Sequence, residues 1–235
     1  MLLEICANSY QSAKHAQEAG AHRIELCSEL SIGGITPSFG LIKEVMSTLD
    51  IETFVLVRPR SGNFCYTEKE FEIIKRDIKI SKDLGCHGIV SGVLNPDYTI
   101  DIERTRELVE LSKPLSFTFH RAFDMVPNAK EALEQLIDLG IERVLTSGQQ
   151  PKAINGLGLL KTLNQQADNR IMILIGSGVS SKNTKAFKNA GFKELHASAS
   201  EVITTESSVY FGNTPQTVSS INEIKAILKT INENL

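Results

Sequence analysis

Three observations predict an α/β fold, a single-domain (β/α)8 barrel, for this chain. Eight short apolar strands alternate with eight helical stretches in strict order. Strands three and seven carry unbroken apolar runs, at 54–57 and 171–175, as expected of parallel strands covered on both faces. The pattern fills 235 residues with no insertion large enough for a second domain, and closed barrels run to this length as one unit. A doubly wound open sheet is the competing architecture, and eight units in so short a chain favour closure.

The elements follow in order. Residues 2–6 read as a strand, and 9–19 as a helix with Ser9 placed to cap it and Gly20 to stop it. The second strand, 22–27, leads to a loop at Gly33-Gly34. A helix from Pro37 to Leu49 has Thr36 in capping position and proline at its first turn. Phe54 to Arg58 is the third strand. Thr67-Glu68-Lys69-Glu70 has the form of a capping box and opens a helix to Leu84. A strand at 87–91 precedes a helix over 100–112 with Asp101 as cap. Strand five runs from Leu115 to His120, followed by a helix over 128–139. Strand six covers 142–146, and a looser helix 151–167. Strand seven, 171–175, ends in Gly176-Ser177-Gly178 before a helix over 181–190. Strand eight is 193–197, and Thr217 to Asn232 forms the last helix. The polar stretch at about 198–216 reads as a long loop after the eighth strand, where long loops are commonly functional.

Composition narrows the function. A net charge of −3 and a pI near 6.0 give no footprint for nucleic acid or an anionic membrane. No apolar run reaches membrane-span length and no leader pattern opens the chain. A cytoplasmic protein is the expectation. The four cysteines, Cys6, Cys27, Cys65 and Cys86, are too few and too scattered for a disulfide scaffold, and no CxxC pair suggests zinc.

Function in a barrel collects at the carboxyl ends of the strands, and the polar residues concentrate there. Side chains alternate faces along a strand, so Glu4 and Cys6 share one face of strand one, and Glu25 and Cys27 the same face of strand two. Charge on an inward face is costly unless paired or used. The acids suit general acid/base work, or they form a structural ion-pair layer with Arg23 and Arg58. The thiols Cys6 and Cys27 could meet at the mouth and suit a soft ion such as Cu(I), or they are simply core cysteines. His120 and His196 end strands with inward parity, as acid/base groups, ligands or hydrogen-bonded core histidines. Arg121 and Asp124 follow His120 closely. Gly176, Ser177 and Gly178, beside Ser198, resemble a phosphate-binding corner or a tight turn. Arg58 and Arg60 would hold an anion bidentately.

The segments LLEIC, AHRIELCSELSIGGITPSFG, VRPRSGNFCYTEKEF, FTFHRAFDM and ERVLTSGQ resemble the CutC family, named for copper homeostasis, from about residue 2 to residue 200. The resemblance implies the same barrel fold, a cytoplasmic location and a homo-oligomer, often a dimer. It implies Cu(I) binding at the positions matching Cys6 and Cys27. It supplies no reaction, and no role for Arg58, Arg60, His120, Arg121 or Asp124. After about residue 200 the chain is shorter and more polar than the family pattern. Two functions therefore stand: a copper-handling barrel protein, or an enzyme acting on a small anionic or phosphorylated metabolite at the barrel mouth. In the second, Glu25 and His120 serve as acid/base groups with Arg58 on the anion.

Overall fold

The computed structural model describes residues 1–204, 207, 208, 210, 212, 213 and 215–233. Eight parallel strands close into a barrel in sequence order: β1 Leu2–Ala7, β2 Arg23–Leu26, β3 Glu52–Leu56, β4 Gly88–Ser91, β5 Ser116–Phe119, β6 Arg143–Thr146, β7 Met172–Ile175 and β8 Glu194–Ala197. Pairing of β1 with β8 closes the ring. The helices are α1 Tyr10–Ala19, α2 Phe39–Thr48, α3 Glu68–Asp83, α4 Ile102–Ser112, α5 Ala129–Asp138, α6 Leu157–Ala167, α7 Thr184–Asn189 and α8 Ile221–Asn232. None is long and apolar enough to cross a membrane.

Local chemistry sets the helix ends. Ser9 caps α1 by accepting from the Ser12 N–H, and Gly20 ends it in the left-handed region at φ 87°. Thr67 and Glu70 form the reciprocal capping box of α3, and Asp101 caps α4. At α2 the cap is Ser38 rather than Thr36, so Pro37 lies outside the helix. Thr36 is engaged elsewhere: its hydroxyl and N–H both donate to the Arg58 carbonyl, and the hydroxyl accepts from the Arg58 N–H. Two expected helices begin late. Helix α6 starts at Leu157, after a turn in which Gly148 and Gly156 touch, and α7 starts at Thr184.

The stretch read as a loop at 198–216 contains strands. Strand β9 Ser200–Thr204 pairs antiparallel with β12 Gln216–Ser219, and β10 Ser207–Ser208 with β11 Gly212–Asn213. Thr217 to Ser219 thus belong to a strand, not to the last helix. The β-branched Val202, Ile203, Thr204, Thr217 and Val218 suit the extended backbone. Polarity misleads here because β9 is largely solvent-exposed.

Alternation along the barrel strands separates two cores. Leu3, Ile5, Ile24, Leu26 and Val55 join the large apolar shell between strands and helices. Cys6, Cys27, Phe54, Leu56 and Val90 form a second cluster inside the barrel. The charged residues with inward parity lie beside that inner cluster, and they build the site.

Candidate functional site at the barrel mouth

The lower interior is an ion network around one aromatic ring. Register places Glu4 opposite Arg23 on β2 and opposite His196 on β8. Arg23 Nε donates to Glu4 Oε2 at 2.5 Å, and its Nη2 to Glu194 Oε2 at 2.9 Å. Arg143 Nε reaches the same Glu194 oxygen at 2.8 Å. Both guanidiniums lie over Phe54, 4.6 and 5.4 Å from its centroid. Phe54 fits because Gly88 faces it; a Cβ at Gly88 would stand 2.6 Å from the ring.

Above this floor the network turns toward chemistry. His196 Nδ1 lies 2.7 Å from Glu4 Oε1, and its Nε2 lies 3.5 Å from Glu25 Oε2. Burial would raise the Glu4 carboxyl, but the His196 hydrogen bond and the Arg23 charge outweigh it and hold it at about 2. Burial pushes Glu25 the other way, to about 7, and the Glu4 charge adds to that rise. Burial alone would lower His196, yet its bond to Glu4 and the nearby Glu25 carboxylate raise it. The nearby His196 charge limits the rise of Glu25, so Glu4 is ionised at neutral pH while Glu25, on the adjacent strand, titrates there.

Cys6 and Cys27 meet with their sulfurs 3.6 Å apart, both buried and neither in a disulfide. The hydrogen bond with Cys27, then burial, raises the Cys6 thiol well above its ordinary value. Cys6 Sγ, a Glu25 oxygen and a His196 nitrogen all lie within 4.8 Å of one another.

These groups floor a cavity of about 490 Å³ whose walls include Leu30, Arg58, Phe64, His120 and Arg121. Arg58 uses its fork on the backbone, donating to the carbonyls of Ile32, Gly34 and Gly62, with its guanidinium over Phe64. His120 also rests against Phe64, at 4.6 Å between ring centroids. Its Nδ1 accepts from the Ala122 N–H, so in the neutral ring the proton sits on Nε2. Burial, then the Arg58 charge, lowers His120 to about 3 and keeps it neutral. Among the described residues His120 Nε2 and Arg58 Nε are buried without a hydrogen-bond partner.

The remaining sequence candidates divide. Arg121 and Asp124 reach the cavity and pair at 2.8 Å. Asp124 also accepts from the Thr146 and Ser147 hydroxyls and from the Ser147 and Gln149 N–H groups, which fixes the strand-six loop. Ser177, Gly178 and Ser198 line the cavity, but the Ser177 hydroxyl donates to the Pro151 carbonyl at 2.7 Å. Gly176 packs against Leu145 and His196. Just beyond this corner the Glu223 carboxylate accepts from the Ser181 N–H and hydroxyl. Arg60 is not among the cavity residues; it pairs with Glu70 at the start of α3. Sequence reading missed Arg143, Glu194 and Phe64. The first two carry a usable signal, since each opens a strand with the inward parity of Glu4 and Arg23.

The family model described as CutC family matches residues 1–201. A CutC family protein of Photorhabdus laumondii is 45% identical over 222 residues, covering 94% of this chain and 88% of the relative. The human copper homeostasis protein cutC homolog is 45% identical over 213 residues, 90% of this chain and 77% of its own length. The CutC crystal structure from Streptococcus agalactiae superposes with a TM-score of 0.80 at 34% identity, over 84% of this chain and 98% of that one. A match running through every barrel strand, shared with both bacterial and human relatives, means that this chain belongs to the CutC family.

Proposed function

We propose that this protein handles copper in the cytoplasm, taking Cu(I) as cargo between Cys6 and Cys27. The observation that carries the reading is the pair of reduced sulfurs 3.6 Å apart, of which Cys6 lines an open cavity and Cys27 lies buried beside it. Two thiolates make a soft donor set, which favours Cu(I) over hard cations. The surrounding Leu30, Leu56 and Val90 keep the sulfurs dry. The raised Cys6 thiol is protonated at neutral pH, so Cu(I) must displace that proton and uptake strengthens as pH rises. A copper homeostasis protein among the relatives supports the same cargo.

Competition against a chromogenic Cu(I) chelator tests it. Cys6→Ser and Cys27→Ser each weaken Cu(I) binding by roughly a hundredfold or more, because half of the donor set is lost. Binding by either variant equal to that of the unmodified chain rejects the thiol site. The reading includes a homo-oligomer, supported by the exposed apolar Val202 and Ile203 on β9. Sedimentation velocity of the pure protein, giving a dimer or a monomer, decides that part.

A second reading is favoured by the unmet donors. His120 Nε2–H and Arg58 Nε–H are buried beside a cavity far larger than one ion needs, and both want acceptor oxygens. A small anionic metabolite would supply them, with Glu25 and His196 beneath it as the acid/base pair. A thermal-shift screen of sugar phosphates and small carboxylates raises the melting temperature by about 5 °C or more at a hundredfold excess over Kd. No shift with any anion in the set removes this reading.

A further inference from the structure

We propose that Cys6, Glu25 and His196 form a second metal site, one for a borderline divalent cation of the zinc or cobalt kind. Three adjacent strands supply the donors. Cys6 on β1 stands in register with Glu25 on β2, and His196 projects from β8 on the other side of β1. Their ligating atoms are mutually within 4.8 Å, and all three side chains face the cavity. Three protein ligands of mixed sulfur, oxygen and nitrogen type, with room for a fourth group, match divalent sites that keep a position open.

The histidine is held as a ligand would be. Glu4 fixes His196 Nδ1 at 2.7 Å, and Arg23 fixes Glu4 at 2.5 Å from below. The ring therefore presents Nε2 toward Glu25, and a carboxylate behind the imidazole is the usual support for metal-bound histidine. Charge also balances: a thiolate and a carboxylate neutralise a dication, which lowers the cost of burying both. A single-charged ion at the same place would leave one charge over.

This site differs from the dithiol site by its donors and shares only Cys6. Cys27 is not among the residues facing the cavity, while Glu25 and His196 are harder donors than Cu(I) selects. The two ions therefore compete, and copper at the sulfurs excludes the divalent ion.

Cobalt(II) chloride, titrated into the full-length protein without oxygen or added thiols, provides the test. One Co(II) binds per chain, with a near-ultraviolet thiolate-to-cobalt band and visible bands of a four-coordinate ion. Glu25→Gln and His196→Asn each weaken Co(II) binding at least tenfold yet do not abolish Cu(I) binding. Cys27→Ser keeps the Co(II) spectrum while Cu(I) binding falls, so failure of the dithiol reading and of this one are told apart. Circular dichroism confirms folding, and Glu25→Gln, which matches the native side chain in size, is the decisive variant. The inference is overturned by the absence of a thiolate band, by its loss in Cys27→Ser, or by unchanged Co(II) binding in folded Glu25→Gln.

Discussion

Replacing Arg23 with methionine lowers the unfolding free energy by about 3–5 kcal/mol at neutral pH. Arg23 is fully buried and bridges Glu4 to Glu194 across three strands. Methionine keeps much of the volume over Phe54 but leaves two buried carboxylates short of their cation. Arg143 still reaches Glu194 and His196 still reaches Glu4, so the loss is large without being total. The pH dependence identifies the cause. In the native protein Glu4 sits near 2 against an ordinary value of 4.5, so its contribution is complete above 4.5 and is lost as pH falls toward 2. Without Arg23 the Glu4 carboxyl titrates higher, and the variant gains less from ionised Glu4. The gap between the two proteins is therefore widest at neutral pH and closes as the solution is acidified. Urea denaturation across that range measures it. A deficit below about 1 kcal/mol, typical of an exposed pair, or one indifferent to pH, would mean that Arg23 does not neutralise Glu4.

The second large effect concerns a glycine away from the charges. A Cβ at Gly156 would stand 2.1 Å from the Ser147 carbonyl oxygen and 3.0 Å from Gly148 Cα. Both obstacles are backbone, so no side-chain rotation relieves them. Gly156→Ala costs about 3 kcal/mol, the upper part of the usual range for overpacking. The strand-six loop must also shift, disturbing the Ser147 bonds that hold Asp124 at the cavity. Two residues later Gly158 lies in α6 with nothing within 4 Å of its Cβ direction. Gly158→Ala gains up to about 1 kcal/mol through helix propensity. Opposite signs from the same substitution, two residues apart, separate steric collision from propensity. Equal effects in denaturant melts would refute the collision.

Why some of this was visible in the sequence, and some not, follows from the kind of interaction involved. Face alternation is a two-residue period, so Glu4 with Cys6 and Glu25 with Cys27 could be placed on one interior face from spacing alone. The helix signals at Ser9, the capping box from Thr67 and Asp101 are local and were equally legible. Arg143 and Glu194 fall within the strands read at 142–146 and 193–197, but no spacing shows that two residues so far apart in sequence meet as an ion pair. Arg58 reads from spacing as an anion holder or a partner of the buried acids, and spacing does not show that its fork also grips three backbone carbonyls. Side-chain bonds to distant carbonyls leave no periodic trace. The contact of Gly148 with Gly156 is likewise invisible to pattern. The β9–β12 pair was hidden by composition, since serine and threonine serve exposed strands as readily as loops.

The shared carboxylate of Glu194 limits how this sequence can drift. Arg23 and Arg143 donate to the same oxygen, and Arg23 also holds the acid that steadies His196. Loss of any one charge strands the others, whereas exchanging partners together for apolar side chains removes the debt altogether. Intermediates along a path of single changes are therefore worse than either endpoint. Strands β1, β2, β6 and β8, far apart in the chain, are thus tied to one another by a single set of charges.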